Sequence, residues 1–368
     1  MLIGPYTVTA EGVVSLARHV ADSIRVRARG IPALPGDNPV EIAGEVLRRN
    51  ARKVFMAGAG HLRFMWVTDS GLAMRGAEKV LPLTYLRDLI RFMVAESRRL
   101  GRVPSCFRPG RGFDAPYWRG DNLPWLVISA AEYSRWTGME LGKDEALSLQ
   151  WLLNDYCRRH FRDGLLADSV TGDWMDTILR PSSTYNNICA LKMLQDASVL
   201  GLRAPIDPKA LETEILRVRW RGDHFVDCSV GDEMGVDAGV FALYFGLFKK
   251  DLRDLIIKRV EREGLTRPCP MRASLSRHDE SLMGPLTRFS PGYHSAVWPH
   301  LGLVYLNGLR RAGKDYSAHK AAVEALVMKH RNFVEALNPE GGLYSTWAHS
   351  TDYGLSMAAG QYLELALD

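Results

Sequence analysis

Helical periodicity runs through almost the whole chain and limits what it can fold into more than any other property. Between Leu86 and Leu100, the residues Leu86, Leu89, Ile90, Met93, Val94 and Leu100 mostly follow i, i+3, i+4, i+7 spacing, with Thr84 placed as an N-cap. The segment 122–137 opens with Asp121 or Asn122 as cap and Pro124 in its first turn, and stops at Gly138. The next helix starts near Asp144 and stops at Gly164. Similar patterns predict helices over about 11–28, 39–52, 69–79, 184–200, 207–218, 236–248, 250–263, 294–311, 316–336 and 352–367. Three stretches are apolar on more than one face: Leu123–Ala131, Ala238–Phe248 and Leu301–Leu306. A helix apolar nearly all round is enclosed by other helices. About a dozen helices, some enclosed and some amphipathic, predict an all-α (α/α)6 toroid of two concentric rings. An irregular all-α fold is the plainer alternative. The absence of a fixed-period repeat argues against a solenoid.

The connections between these helices are uneven. Gly138–Lys143 and Ala312–Lys314 are short, whereas 102–121, 164–183, 265–293 and 338–350 are rich in Gly, Pro, Trp, Tyr and Asp. Long loops in a compact fold usually carry function. On alternate connections of a toroid they emerge on one rim, where short strands at Asp223–Asp227 and Gly164–Asp168 are expected. No composition break divides the 368 residues, so residues 1–368 read as one domain. The formal charge of +5 is small, and no basic run is interleaved with aromatics, which argues against nucleic acid as a partner. Arg25, Arg27 and Arg29, like Arg158 and Arg159, read as solvated helix faces or ends. Cys106, Cys157, Cys189, Cys228 and Cys269 are odd in number, scattered and free of CxxC spacing, which fits buried thiols in a reducing compartment. With no signal-like N-terminus and no apolar run of membrane-spanning length, the expected location is cytoplasmic, with no membrane partner.

Six segments carry candidate chemistry. Phe64–Gly71 contains Trp66 and Asp69 at a helix start, where the Asp reads either as an N-cap or as a grip on sugar hydroxyls. Tyr117–Trp125 brings Trp118, Arg119, Asp121 and Trp125 to a loop–helix junction. That mixture suits a sugar subsite, and equally a capped helix with core tryptophans. Thr171–Thr177 holds Asp173 and Asp176 with Trp174 between them. A carboxyl beside an indole loses solvation and keeps its proton nearer neutral pH, as a general acid requires; an Asx-turn is the bland reading. Ser183–Asn187 supplies Asn187, or only caps. Pro291–His300 supplies Tyr293, His294 and Trp298, although a His in such a place is more often structural. The last segment holds Glu335, Trp347, His349 and Tyr353. Glu335 is expected at a helix end, where the dipole disfavours its charge and so implies a specific task. Two separate carboxylates in aromatic surroundings are what hydrolysis of a glycosidic bond needs, one protonated and one ionised.

The order of these segments resembles the six-hairpin glycosidases, above all the amylo-alpha-1,6-glucosidase domain of glycogen debranching enzyme. The family of processing alpha-glucosidase I and mannosylglycerate hydrolase is also similar. Trp66–Gly71 resembles that group's Trp-x-Arg-Asp segment, and Asp121–Trp125 its Asp-Ala-Pro-Leu-Trp. Asp173–Asp176 resembles Thr-Trp-Met-Asp, Tyr185–Asn187 an Asn-containing segment, and Tyr293–Pro299 the Tyr-His-Asn-Gly-x-Trp-Pro segment. Glu335–Pro339 resembles Glu-x-Tyr-Asn-Pro. The likeness spans about residues 60–365. It departs at Thr68, where the relatives carry Arg, and at Ser295–Ala296, which replaces Asn-Gly.

The resemblance implies an inverting exo-acting α-glycoside hydrolase with Asp176 as general acid and Glu335 as general base. Trp66, Asp69, Trp118, Arg119, Asp121, Trp125, Asp173, Trp174, Asn187, Tyr293, His294, Trp298 and Trp347 would bind a small-molecule or oligosaccharide substrate. No cofactor and no metal ligands are expected. Two other readings stay open. One is a sugar 2-epimerase-like isomerase recruiting His224, His294 and His349. The other is a sugar-binding or assembly protein without turnover, which Thr68 supports. Arg267, Arg272, Arg277 and Arg288 in loop 265–293 are expected to close over the site and meet an anionic group.

Overall fold

A computed structural model describes residues 2–3, 6–7, 10–114, 118–175, 177–275, 280–283 and 290–368 of the chain. Asp176, Arg277 and Arg288 therefore lie outside the described residues. Thirteen α-helices are described: α1 (Ala10–Arg29), α2 (Pro39–Asn50), α3 (Val67–Ala77), α4 (Leu83–Leu100), α5 (Asn122–Thr137), α6 (Lys143–His160), α7 (Thr184–Ala197), α8 (Pro208–Arg219), α9 (Val236–Tyr244), α10 (Lys250–Arg262), α11 (Pro299–Arg311), α12 (Ser317–His330) and α13 (Ser356–Leu367). Their ends follow local chemistry. Asn38 caps α2 by accepting from the Glu41 N–H, with Pro39 at the first position, and Asp207 caps α8 in the same way before Pro208. Gly138 stops α5 by taking a left-handed conformation, φ +66°, that other residues adopt only with strain.

The odd-numbered helices from α3 onward form a closed inner ring. α3 packs on α5, α5 on α7, α7 on α9, α9 on α11, α11 on α13, and α13 returns to α3. The even-numbered helices form the outer layer: α4 and α6 lie against α5, α8 against α7, α10 against α9, α12 against α11, and α2 against α13. This is the (α/α)6 toroid. The sequence explains the sorting. α5, α7, α9 and α13 are buried on nearly every side, whereas α4, α8 and α10 bury one stripe. The strands are short and lie in the connections. Met65–Trp66 (β3), Cys106–Arg108 (β4) and Arg111–Phe113 (β5) form an antiparallel sheet in the order β3-β4-β5. Phe161–Arg162 (β6) pairs with Leu165–Leu166 (β7), and Leu2–Ile3 (β1) with Tyr6–Thr7 (β2). The expected strand at 223–227 appears only as the bridges Trp220 to Phe225 and Val226 to Met234.

Several boundaries differ from expectation; the 294–311 helix, for one, begins at Pro299 after a separate turn over Tyr293–Ser295. Pro82, not Thr84, stands at the N-cap of α4. α6 ends at His160, because the chain turns into the β6–β7 hairpin before Gly164. α12 ends at His330, with Arg331 in the left-handed region. Glu335 therefore ends no helix. It lies in an extended segment bridged to Tyr353 through Val334 and to Val297 through Leu337, so no helix dipole opposes its charge. All five cysteines are buried and free. Among the described residues no helix is long and apolar enough to cross a membrane.

Ring closure rests on small residues. A Cβ on Gly76 of α3 would stand 1.9 Å from the carbonyl oxygen of Gly360 on α13, and one on Gly360 would stand 2.5 Å from the Cα of Ala73. These are backbone contacts that no rotamer change relieves. Gly76→Ala is expected to cost at least ~1–3 kcal/mol, read as a lower urea midpoint. A midpoint equal to wild type would show that the ring does not close through this contact.

Candidate functional site

The cavity at one end of the ring is built from the starts of inner helices. β3 leads into α3, so Trp66 stands at its N-cap and Thr68 and Asp69 in its first turn. Arg119 precedes α5 and Trp174 lies in the loop before α7. Trp298 caps α11 and His300 follows in its first turn, while Glu335 belongs to the segment before α13. Trp66, Thr68, Asp69, Arg119, Trp174, Phe241, Tyr293, Trp298, His300 and Glu335 all line one cavity of about 550 Å³, counting its open mouth. The aromatic wall is fixed edge to face: Trp174 meets Trp298 at 5.3 Å and His300 at 5.3 Å, and Tyr293 meets Trp298 at 4.5 Å. The Arg119 guanidinium lies 4.1 Å above the Trp66 ring.

Glu335 is buried and held by donors on both oxygens. The Tyr293 hydroxyl donates to Oε1, the Asp352 backbone N–H donates to Oε2 at 2.8 Å, and His349 Nε2 stands 3.8 Å from Oε2. Burial alone would raise its pKa. The neighbouring His349 and His61 and the Tyr293 hydroxyl outweigh that and hold the carboxyl well below the usual range. The other acids shift oppositely. Asp69 is raised to about 6 by burial, with Arg119 opposing and the Glu335 charge adding. Asp352 is raised to about 7 by burial and by Glu335, despite N–H groups of Leu62, Tyr353 and Gly60. Burial lowers His300 to about 3, so its ring is neutral.

The loop carrying Trp174 is tied down by one cation. Arg180 is fully buried and donates to Asp173 Oδ2 at 3.0 Å, Asp227 Oδ1 at 2.7 Å and Asp237 Oδ2 at 2.8 Å. Asp237 Oδ2 also accepts from the Trp174 indole N–H at 2.7 Å, and Asp173 Oδ1 accepts from the Met175 N–H. Asp173 thus sits behind the cavity wall. Burial raises the Asp227 carboxyl against the pull of Arg180, with Asp237 adding to the rise.

Several expected residues take supporting places. Asp121 stands at the N-cap of α5, but its side chain makes no capping hydrogen bond. It is buried, accepts from Thr68 Oγ1 at 2.9 Å and Tyr185 Oη at 3.0 Å, and is raised by burial to about 6. Trp125 lies in the core with its indole N–H on Tyr185 Oη at 2.9 Å, and Asn187 accepts from the Leu166 N–H. Trp118 stacks on His160 at 4.6 Å, outside the cavity lining. His294 is fully buried and also outside that lining. Trp347 is 69% exposed, its carbonyl accepting from Arg27 Nη1. His224 pairs with Asp223, away from the cavity. Thr68 supplies no cation, but Arg119 places one beside the same two acids, Asp69 and Asp121.

No protein-family model matches the chain, and neither does any curated protein sequence. Solved structures do. A glycosidase in complex with glucose superposes with TM-score 0.67 at 14% identity, covering 98% of both chains. A GH63 mannosylglycerate hydrolase from Thermus thermophilus, in complex with Tris and D-glycerate, gives 0.60 at 16% identity over 89% of this chain and all of that one. A rhamnosidase from Klebsiella oxytoca with rhamnose bound gives 0.62 at 13% identity, covering 91% of this chain and 65% of that one. The fold is one that glycosidases use.

Arg180, Asp227, Asp237, His61, His300 and Asp352 escaped the reading of the sequence. Arg180 stands alone in Leu179-Arg180-Pro181 with no pattern around it. Asp352, three residues after His349, was a visible signal of polar residues gathered in one loop. His61, Glu335 and His349 come together as a possible ligand set, with one donor atom from each within 4.8 Å of the others.

Asp69 gives a pH test. Its folded pKa lies above the ordinary carboxyl value of 3.8, so its contribution to stability is present below that value and is lost as pH rises through about 6. Melting temperatures of Asp69→Asn relative to wild type should therefore rise from pH 4 to about pH 7. A difference independent of pH would contradict the buried, raised carboxyl.

Proposed function

We propose that the protein is an inverting, exo-acting α-glycoside hydrolase in which residues 1–368 act as one catalytic unit in the cytoplasm, without a cofactor. The observation that carries this reading is Glu335: a carboxylate kept ionised at the wall of an aromatic-lined cavity. A general base must be ionised and must hold its lone pair towards the space where water sits. The Tyr293 hydroxyl and the Asp352 N–H fix the carboxylate plane, and neighbouring imidazoles favour its charge.

Asp176 is the proposed general acid. Its neighbours Trp174 and Met175 are anchored by Asp237 and Asp173, so the Arg180 clamp would hold the loop that presents it. The acid would protonate the glycosidic oxygen while Glu335 takes a proton from water on the opposite face of the ring. Inversion then needs a carboxyl separation of about 6.5–9.5 Å. Trp66, Trp174 and Trp298 would cover the C–H face of the sugar, and Asp69 and Arg119 would bind its hydroxyls. A partly open cavity lined by tryptophans, carboxylates and a guanidinium suits a sugar ring with a small aglycone, such as an α-glucoside or α-mannoside. Glucose, rhamnose and D-glycerate in structural neighbours fit this substrate class. Asp69 and Glu335 line the cavity with His300, whose imidazole burial keeps neutral, while His224, His294 and His349 of the isomerase reading are outside the lining.

Asp176→Asn and Glu335→Gln should each lower kcat about 10²–10⁴-fold on such glycosides, with KM little changed. Full activity in both variants would rule the assignment out.

A further inference from the structure

Behind Glu335, the two imidazoles that favour its charge are grouped in a way that allows a second role. His61 comes from the loop between α2 and β3, and His349 from the loop before α13. Their rings meet edge to face at 5.4 Å, and both side chains are almost entirely enclosed. One donor atom each from His61, Glu335 and His349 lies within 4.8 Å of the others. The His349 Nε2 to Glu335 Oε2 separation is 3.8 Å. Tetrahedral bonds of about 2.0–2.1 Å require donors about 3.3 Å apart, so side-chain shifts of an ångström or so would bring the set to coordinating distance.

The surroundings match what metal-binding histidines need. The Nδ1 of His349 is engaged by Ser290 Oγ at 2.7 Å, which leaves Nε2 as the atom facing Glu335. The Nδ1 of His61 lies 3.6 Å from Asp352 Oδ2, beyond hydrogen-bonding distance, and the Asp352 carboxyl is itself held by the N–H groups of Gly60 and Leu62. The Ser290 hydroxyl on the far nitrogen of His349 fixes that ring's orientation as a ligand. Two imidazoles and one carboxylate favour Zn²⁺ and similar ions over Mg²⁺ or Ca²⁺, which prefer all-oxygen shells. Glu335 lines the cavity, so a fourth position can be filled by water from that side.

We propose that His61, Glu335 and His349 form a binding site for a divalent transition-metal ion of the Zn²⁺ type, whose occupancy withdraws Glu335 from proton transfer. Metal binding stands on this geometry alone; the inhibitory consequence rests on Glu335 being the base.

The probe is Co²⁺, which reports its own coordination by its visible spectrum, followed by displacement with Zn²⁺. Wild type is expected to bind one equivalent with a four-coordinate spectrum. His61→Ala and His349→Ala should abolish that spectrum, and the milder Ser290→Ala should weaken binding about 10–100-fold without unfolding the loop. Absence of a one-equivalent site, or a spectrum unchanged in all three variants, overturns the proposal. Both readouts are taken without substrate. Failure to bind metal would therefore leave the role of Glu335 intact, and an active Glu335→Gln would sink the hydrolase reading while leaving metal binding to be judged by its spectrum.

Discussion

Six inner helices that close into a ring and all enter it from one end must bring their starts round a single cavity. Everything at the site follows from that constraint. Trp66, Asp69, Trp298 and His300 are first-turn or capping residues, and only α7 among the inner helices has its first turn closed by its own capping side chain. The opposite end of the ring has the complementary character: Arg75, Arg135, Lys192 and Arg311, near the ends of the same helices, line a second cavity. These cations pair with the carboxylates Glu132, Asp196 and Glu364, and Arg311 also donates to the Tyr244 carbonyl at the end of α9. The close Gly76–Gly360 contact between α3 and α13 is the seam on which closure depends.

The site separates its carboxylates by environment. Burial acts on all of them in the same direction, towards the neutral form. Glu335 alone has imidazoles and a phenol close enough to reverse the effect, and its charge in turn helps keep Asp69 and Asp352 protonated at higher pH. Acids pushed apart in pKa within one cavity are the arrangement that acid–base chemistry near neutral pH requires. The Arg180 clamp serves the same end structurally. One guanidinium joins the loop at Asp173, the turn at Asp227 and the start of α9, fixing the Trp174 side of the cavity against the helix ring. Removing one partner from such a buried set leaves uncompensated charge, so its integrity is tied to that of the fold.

Much of the architecture was legible because helical periodicity is local. The enclosed runs of α5, α9 and α11 announced an inner layer, and Gly138 marked the end of α5. The aromatic–acid segments pointed to Trp66, Asp69, Arg119, Trp174, Tyr293, Trp298 and Glu335, which share the cavity. Boundaries were less legible where tertiary pairing overrides propensity. Glu335 reads as helical by pattern, yet the strand-like pairing of Val334 with Tyr353 and of Leu337 with Val297 decides its backbone. Asp121 reads as a cap, yet Thr68 and Tyr185 claim its carboxylate. Arg180 and His61 left no signal, because Asp227 and Asp237 on the one side and Glu335 and His349 on the other come from segments distant in the chain. Thr68 looked like the loss of a cation; Arg119, from another loop, supplies charge to the same acids.

The stereochemistry of the product reports most directly on the proposed pairing of Glu335 with an acid across the sugar. A base that activates water on the face opposite the leaving group must deliver the inverted anomer, whatever the aglycone. ¹H NMR of an α-glycoside digest, followed from the first minutes, should show the β-anomer of the free sugar before mutarotation. The α-anomer appearing first would mean that the carboxylate attacks carbon rather than activating water, and would contradict the account.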